Sequence, residues 1–256
     1  MAAVDLNAKY EISTNQIQGW PAGPEIISDT GILMDADTGV VLYNKGADEQ
    51  RYPASITKIM TLLVAVENST MDEQVTFTET GVRNVNADSS NIGTQVGEIL
   101  SMKDCLYALI IQSANDVAAQ IAEHIGGTEQ AFIDMMNQRA QELGLLDTNF
   151  VNCTGLDDAP EAAEHLTTAH DIAVISRELL KHDRIRNYTT IWMDTVRGGK
   201  FGLSNTNKLV RFYQGTTGLK TGYTSAAGHC LAASAKRDGI ELIAVVLHCA
   251  SSADRF

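Results

Sequence analysis

Residues 228–250 read GHCLAASAKRDGIELIAVVLHCA, and this stretch decides the fold. Two apolar runs, 228–236 and 240–249, flank Asp238-Gly239. Glycine in that dipeptide tolerates positive φ, so the pattern is a β-hairpin. Its runs are rich in Ala, Leu, Ile and Val and alternate poorly, which predicts strands covered on both faces. Near the other end of the chain, runs 32–36 and 40–43 flank Asp37-Thr38-Gly39 and predict a second hairpin. Between the hairpins the pattern becomes helical. Pro53 stands at a helix start, and Ile56, Ile59, Met60, Leu63 and Val66 follow at helical spacing. Residues 102–112 are helical by the same test. In 116–125, Val117, Ile121 and Ile125 lie four apart before Gly126-Gly127, a C-cap signal. Thr128 caps a helix over 129–143 that stops at Gly144. Thr168 with Asp171 opens another to about Lys181, as a capping box with Asp in the Glu role. Strands at both ends with helices between predict the α/β class in its α+β form. One antiparallel sheet is made from both chain ends, flanked by helices, with an all-helical region inserted. The reading is a single domain over 1–256, with the sheet region at about 25–75 and 185–256 and the helical region at about 76–184.

Composition narrows the function. The chain has 256 residues, 44% apolar and 20% charged, as globular chains do. Asp and Glu number 32 against 19 Lys and Arg, a net charge of −13. Such a surface repels phosphate backbones, which argues against a nucleic-acid partner. The longest apolar runs, 59–66 and 242–250, fall short of the roughly 20 residues needed to cross a bilayer. The opening MAAVDLNAKYEISTNQIQGWPAG has no basic segment before an apolar one, so no signal peptide is visible. The closing SSADRF follows an apolar run without a cap, which fits truncation as well as a natural end. Cys105, Cys153, Cys230 and Cys249 form no CxxC pair. Cys230 and Cys249 fall in adjacent predicted strands and could pair, but four buried thiols is the favoured reading. The six histidines form no HExxH, and no metal or cofactor is expected. None of them is placed beside a candidate nucleophile, and each reads as a structural residue.

Three short motifs carry the chemistry. In Ser55-Ile56-Thr57-Lys58, positions i and i+3 share a helix face, so the hydroxyl and the amine can meet. Ser55 falls in the first turn, where free N–H groups favour a developing anion. A serine hydroxyl needs a base to become a nucleophile, and a lysine serves if burial or a nearby cation lowers its pKa. In Ser113-Ala114-Asn115, at a break between two helices, a hydroxyl could relay protons and a carboxamide could hold an amide. In Lys220-Thr221-Gly222, on an edge strand, the lysine offers positive charge, the threonine a hydroxyl for a carboxylate, and the glycine close approach of a substrate backbone. Each motif alone is ordinary. In this order and setting they form a specific signature.

With these motifs, and with the blocks 32–43, 52–61, 113–119, 167–172 and 218–224, the chain resembles the penicillin-recognising serine D-Ala-D-Ala carboxypeptidases, the low-molecular-mass penicillin-binding proteins. The resemblance covers roughly 25–256 and implies a β-lactamase/transpeptidase-like fold. It implies that Ser55 is the acylated nucleophile and Lys58 its base. Ser113 would pass the proton to the leaving D-alanine, and Asn115 would bind the substrate amide. Lys220 would lower the pKa of Lys58 and, with Thr221, hold the terminal carboxylate. The N–H groups of Ser55 and Tyr223 would form the oxyanion hole, a device that contributes roughly 3–4 kcal/mol in transition states. Arg255 aligns with an arginine near the carboxylate pocket. The implied partners are peptidoglycan stem peptides and, as covalent inhibitors, β-lactams. The implied location is extracytoplasmic, at the outer face of the cytoplasmic membrane. Many relatives carry His where this chain has Tyr223. Relatives also carry a leader, a β-rich C-terminal domain, a membrane anchor and a further helix packed on the sheet, none of which is visible here.

Two other functions share the motifs. A class A β-lactamase needs a second base on a loop, Glu with Asn four residues on. In 155–167, Glu161 is followed by His165 and Glu164 by Thr168, so the loop predicts slow deacylation. A β-lactam sensor would be acylated without peptide turnover, and intact motifs disfavour it.

Overall fold

The structure is a computed structural model and describes residues 19, 23–85 and 89–256. Apart from Gly19 and Gly23, the stretch read above for a leader lies outside those residues. Both hairpins form. β1 (Thr30–Asp35) pairs antiparallel with β2 (Val41–Lys45). Asp35 closes the turn by accepting from the backbone and hydroxyl of Thr38, each at 2.7 Å. A 3-10 turn, Ala54–Thr57, leads into α1 (Lys58–Asn68). There follow β3 (Gln74–Thr76), α2 (Glu79–Val82), β4 (Ile99–Ser101) and α3 (Met102–Tyr107). Next come α4 (Asn115–Gly126), α5 (Glu129–Glu142), α6 (Ala169–Leu179) and α7 (Asp183–Thr189). Strands β5 (Met193–Val196) and β6 (Phe201–Ser204) and the single turn α8 (Leu209–Phe212) precede the closing strands. These are β7 (Thr216–Thr224), β8 (Gly228–Arg237) and β9 (Ile240–Cys249).

The main sheet runs β2-β1-β9-β8-β7 and joins the two chain ends side by side. Ile32 lies opposite Val245 and Met34 opposite Ile243. β7 is an edge strand, as Lys220-Thr221-Gly222 requires. Two further pairs, β3 with β4 and β5 with β6, form small separate sheets. Helices α6 and α1 pack between the sheet and the helical layer of α4 and α5.

The caps form where local chemistry places them. Thr128 accepts from the N–H of Ala131 and Thr168 from that of Asp171. Gly127 closes α4 with φ of +76°. All four cysteines are free thiols and buried.

Three expectations change. The region expected to be all-helical, about 76–184, also holds strand β4, paired with β3. The predicted helix 102–112 ends as α-helix at Tyr107 and continues as a π turn, Ala108–Gln112. The wider turn delivers Ser113 into the left-handed region, φ +64°. The final hairpin is covered on both faces in β8, where Cys230, Leu231, Ala232, Ala233 and Ser234 are buried in succession, but not in β9. In β9, Glu241, Ile243, Val245, Leu247 and Cys249 are buried while the residues between them are not. The other face carries an open groove of about 410 Å³ with Leu33, Leu242 and Ala244 in its wall. Apolar side chains on both faces of β9 hide its alternation from the sequence, but its burial alternates all the same.

α1 is the center of the core. Every residue from Lys58 to Val66 is buried. A helix apolar on nearly all sides sits inside a fold rather than on its surface. Side chains such as Ile59, Leu62 and Leu63 each contribute roughly 2 kcal/mol by leaving water. The same burial carries the one charged residue at its start, Lys58, out of solvent.

Candidate active site

The Ser55 hydroxyl and the Lys58 amine meet across the junction of the 3-10 turn and α1. Lys58 Nζ lies 3.0 Å from Ser55 Oγ, 2.6 Å from Asn115 Oδ1 and 2.6 Å from the Thr154 carbonyl. Lys58 is fully buried, and burial lowers its pKa to about 7, against the upward pull of Cys153 and Asp116. An amine at that value is largely neutral near physiological pH and can accept a proton from Ser55. Ser55 follows Ala54, whose φ is +49°, a conformation L-residues seldom adopt. Ser113 is the second motif residue and shares this feature with φ of +64°. Two of the five non-glycine residues with positive φ among the described residues thus fall at the site, where strain is commonly held by the surroundings.

The second motif arrives on the π turn and the start of α4. Ser113 and Asn115 are buried, and Asn115 holds Lys58. Next to it, buried Asp116 accepts from the N–H groups of Ile92 and Thr94 and so ties segment 92–94 to α4. Burial raises the Asp116 pKa.

The third motif lies on β7. Lys220 is buried and donates to the Thr221 carbonyl at 2.8 Å. Burial first, then the Lys58 and Arg255 cations, hold its pKa well below the usual lysine range. The sequence allows burial or a nearby cation to lower the Lys58 pKa, and the resemblance implies Lys220 as that cation. Burial is the first cause at Lys58, and the Lys220 amine disfavours a second positive charge in the same buried site. Thr221 donates to Thr206 Oγ1 at 2.6 Å, so Thr206 lines the same strand edge. Gly222 also meets a close contact within the fold. A Cβ there would lie 2.9 Å from the Pro53 carbonyl oxygen and 3.0 Å from Ser55 N. The bare backbone admits the turn that carries Ser55. Tyr223 is exposed and stacks on His229 with ring centroids 4.3 Å apart. Arg255 donates to the Gly222 carbonyl at 3.0 Å, which places it at this strand.

The residues missed in the sequence come from the loop 151–165. Thr154 offers its carbonyl to Lys58, and Cys153 offers its carbonyl to Thr61 at 2.7 Å. Gly155, at φ +85°, packs so close that a Cβ would sit 1.8 Å from the Ala54 oxygen. His165, treated above as unconnected to Ser55, is buried with Nε2 2.7 Å from Thr57 Oγ1. Burial, then Lys58, lowers its pKa to about 4. Glu161 and Glu164, weighed as second bases, are exposed. The only usable signal was Gly155 itself, since a turn glycine in a long loop can mark a close approach. Among the described residues no cluster of His, Cys, Asp or Glu could hold a metal ion. No helix among them is long and apolar enough to cross a membrane.

Comparison with known proteins agrees with this geometry. The sequence profile of the family described as D-alanyl-D-alanine carboxypeptidase matches residues 17–251. The chain is 40% identical over 233 residues to the D-alanyl-D-alanine carboxypeptidase DacF of Bacillus subtilis, covering 88% of this chain and 58% of that protein. It is 35% identical over 259 residues to DacD of Escherichia coli, covering 98% of this chain and 66% of that protein. It thus spans less than two thirds of the length of these relatives. The crystal structure of a Streptomyces DD-transpeptidase superposes with a TM-score of 0.84 at 30% identity, covering 92% of this chain and 95% of the other. The antiparallel sheet with flanking helices is therefore the DD-transpeptidase fold.

Proposed function

The chain belongs to the D-alanyl-D-alanine carboxypeptidase family, and from that premise we propose that it is a serine carboxypeptidase removing the terminal D-alanine from peptidoglycan stem pentapeptides. The observation that carries this reading is the buried amine of Lys58, 3.0 Å from Ser55 Oγ and with a pKa of about 7. Neutral Lys58 takes the Ser55 proton as Oγ attacks the carbonyl of the penultimate D-alanine. The N–H groups of Ser55 and Tyr223 receive the oxyanion, and the tetrahedral intermediate collapses to an ester on Ser55. The proton passes through Lys58 and Ser113 to the amine of the departing D-alanine. Water then hydrolyses the ester. Asn115 holds the substrate amide, and Lys220, Thr221 and Arg255 hold its terminal carboxylate.

A β-lactam acylates the same serine, but its leaving amine stays tethered. The exposed positions of Glu161 and Glu164 provide no second base, which supports slow release and inhibition rather than β-lactamase turnover. The substrate places the activity outside the cytoplasm, at the outer face of the cytoplasmic membrane. The test is intact-protein mass spectrometry with benzylpenicillin, followed over time, beside D-alanine release from a D-Ala-D-Ala peptide. A persistent adduct with D-alanine release supports the carboxypeptidase. A rapidly lost adduct indicates a β-lactamase, and an adduct without peptide turnover indicates a sensor.

A further inference from the structure

A chain of hydrogen bonds ends on the peptide group that precedes the nucleophile. The N–H of Val151 donates to His165 Nδ1 at 3.0 Å. A backbone N–H can only donate, so Nδ1 is the acceptor nitrogen and the proton of the neutral ring resides on Nε2. Nε2 lies 2.7 Å from Thr57 Oγ1 and donates to it. The Thr57 hydroxyl then sends its own proton to the Ala54 carbonyl at 2.9 Å. A helical threonine often bonds the carbonyl one turn back, and that bond alone would mean little. Here His165 and Val151 fix its direction, and all three side-chain and carbonyl groups are buried.

The Ala54 carbonyl is one end of a planar amide whose other end is the Ser55 N–H. A hydrogen bond to the oxygen withdraws charge through the amide and makes the N–H a stronger donor, and chained bonds reinforce one another. We propose that His165 and Thr57 are positioning residues that orient and polarise the Ala54–Ser55 peptide, so that the Ser55 N–H is a stronger oxyanion donor than an unassisted amide. Gly155 supports the same group sterically, since its bare Cα closes over the Ala54 oxygen. The low pKa of His165 keeps Nδ1 free to accept from Val151 at neutral pH. The relay rests on the assignment of Ser55 as nucleophile. It predicts an effect on chemistry and little on binding, because the oxyanion exists only after attack.

The experiment compares the unaltered protein with Thr57→Val, Thr57→Ser and His165→Gln. Each is acylated by benzylpenicillin, and the acylation rate constant is separated from the dissociation constant of the preceding complex. The carbonyl stretch of the acyl-enzyme, isotopically labelled, is read by infrared difference spectroscopy. Thr57→Val should slow acylation about tenfold with the dissociation constant unchanged. Its acyl carbonyl stretch should rise in frequency as the hole weakens, and Thr57→Ser should restore both rate and frequency. If Thr57→Val does not fold, His165→Gln carries the same comparison, with a smaller shift because its amide can still donate to Thr57. An acyl carbonyl that keeps its frequency in Thr57→Val, or in His165→Gln where that variant stands in, overturns the relay. So does Thr57→Ser behaving like Thr57→Val. Absence of any adduct in the unaltered protein would overturn the nucleophile assignment and the relay with it. A normal adduct with an unmoved spectrum overturns the relay alone.

Discussion

Strand β7 and the loop 151–165 both bear on one peptide, and they meet its two edges. β7 approaches the N–H edge, with Gly222 against Ser55 N. The loop approaches the carbonyl edge, with Gly155 against the Ala54 oxygen and Thr57 between that oxygen and His165. In a trans peptide these edges face opposite ways, so the turn is clamped between strand and loop. The strand carries residues assigned to the substrate. The loop carries none, and its contribution is to hold the turn and to bury Lys58. The difference teaches that a motif marks the groups that meet the substrate, while the groups that fix those groups in place leave almost no local pattern.

The largest test concerns what is clamped. Ser55→Ala should remove the penicillin adduct and lower peptide turnover by about 10⁴-fold or more, as loss of a nucleophile does. A residual adduct on the variant would break the comparison at its center. The next test asks whether loop burial, rather than β7, sets the base. With Lys58 at about 7 and active only when neutral, acylation should rise about tenfold per pH unit below 7 and level off above it. A stopped-flow pH profile flat from 5 to 8 would contradict this.

A third test weighs the two glycines. Gly155→Ala meets backbone at 1.8 Å and has φ of +85°, so the cost combines strain with collision. About 3 kcal/mol or more of stability should be lost in urea titration. Gly222→Ala meets its neighbours at 2.9 to 3.1 Å without the positive φ, and should cost about 1–2 kcal/mol while slowing acylation. Gly127→Ala, at φ +76° with nothing within 4 Å, isolates the backbone part at about 1 kcal/mol. Equal losses at Gly155 and Gly127 would mean the loop does not press on the turn. The smallest effect is expected at Thr206, whose hydroxyl accepts from Thr221 Oγ1. Thr206→Val should raise KM for the peptide by about threefold, measured as D-alanine release, and leave kcat near its original value.

Several parts of the molecule were legible because their causes are local. Asp37-Thr38-Gly39 and Asp238-Gly239 turn the two hairpins, since turn chemistry acts within a few residues. Thr128 and Thr168 cap their helices for the same reason. Ser55 and Lys58 were legible as a pair because helical spacing brings i and i+3 together. The π turn before Ser113 was not, since 102–112 satisfies helical spacing whichever way the last turn is wound. The half-open face of β9 was hidden because Leu242, Ala244 and Val246 are as apolar as the buried face. His165 was passed over because its partner Thr57 lies 108 positions away, and no periodicity spans that interval.

From the sequence alone came the two hairpins, the main helices between them, the caps, the acidic composition and the three motifs, all of which depend on residue type and short spacing. The tertiary structure alone decided the sign of the electrostatics at the site. It placed Lys58 on a helix buried on every side, so desolvation is the first cause that lowers its pKa. It also set two distant glycines against opposite edges of the peptide before Ser55. Desolvation and contact depend on what surrounds a group in space, and a chain folded from both ends brings those surroundings from residues far apart in its order.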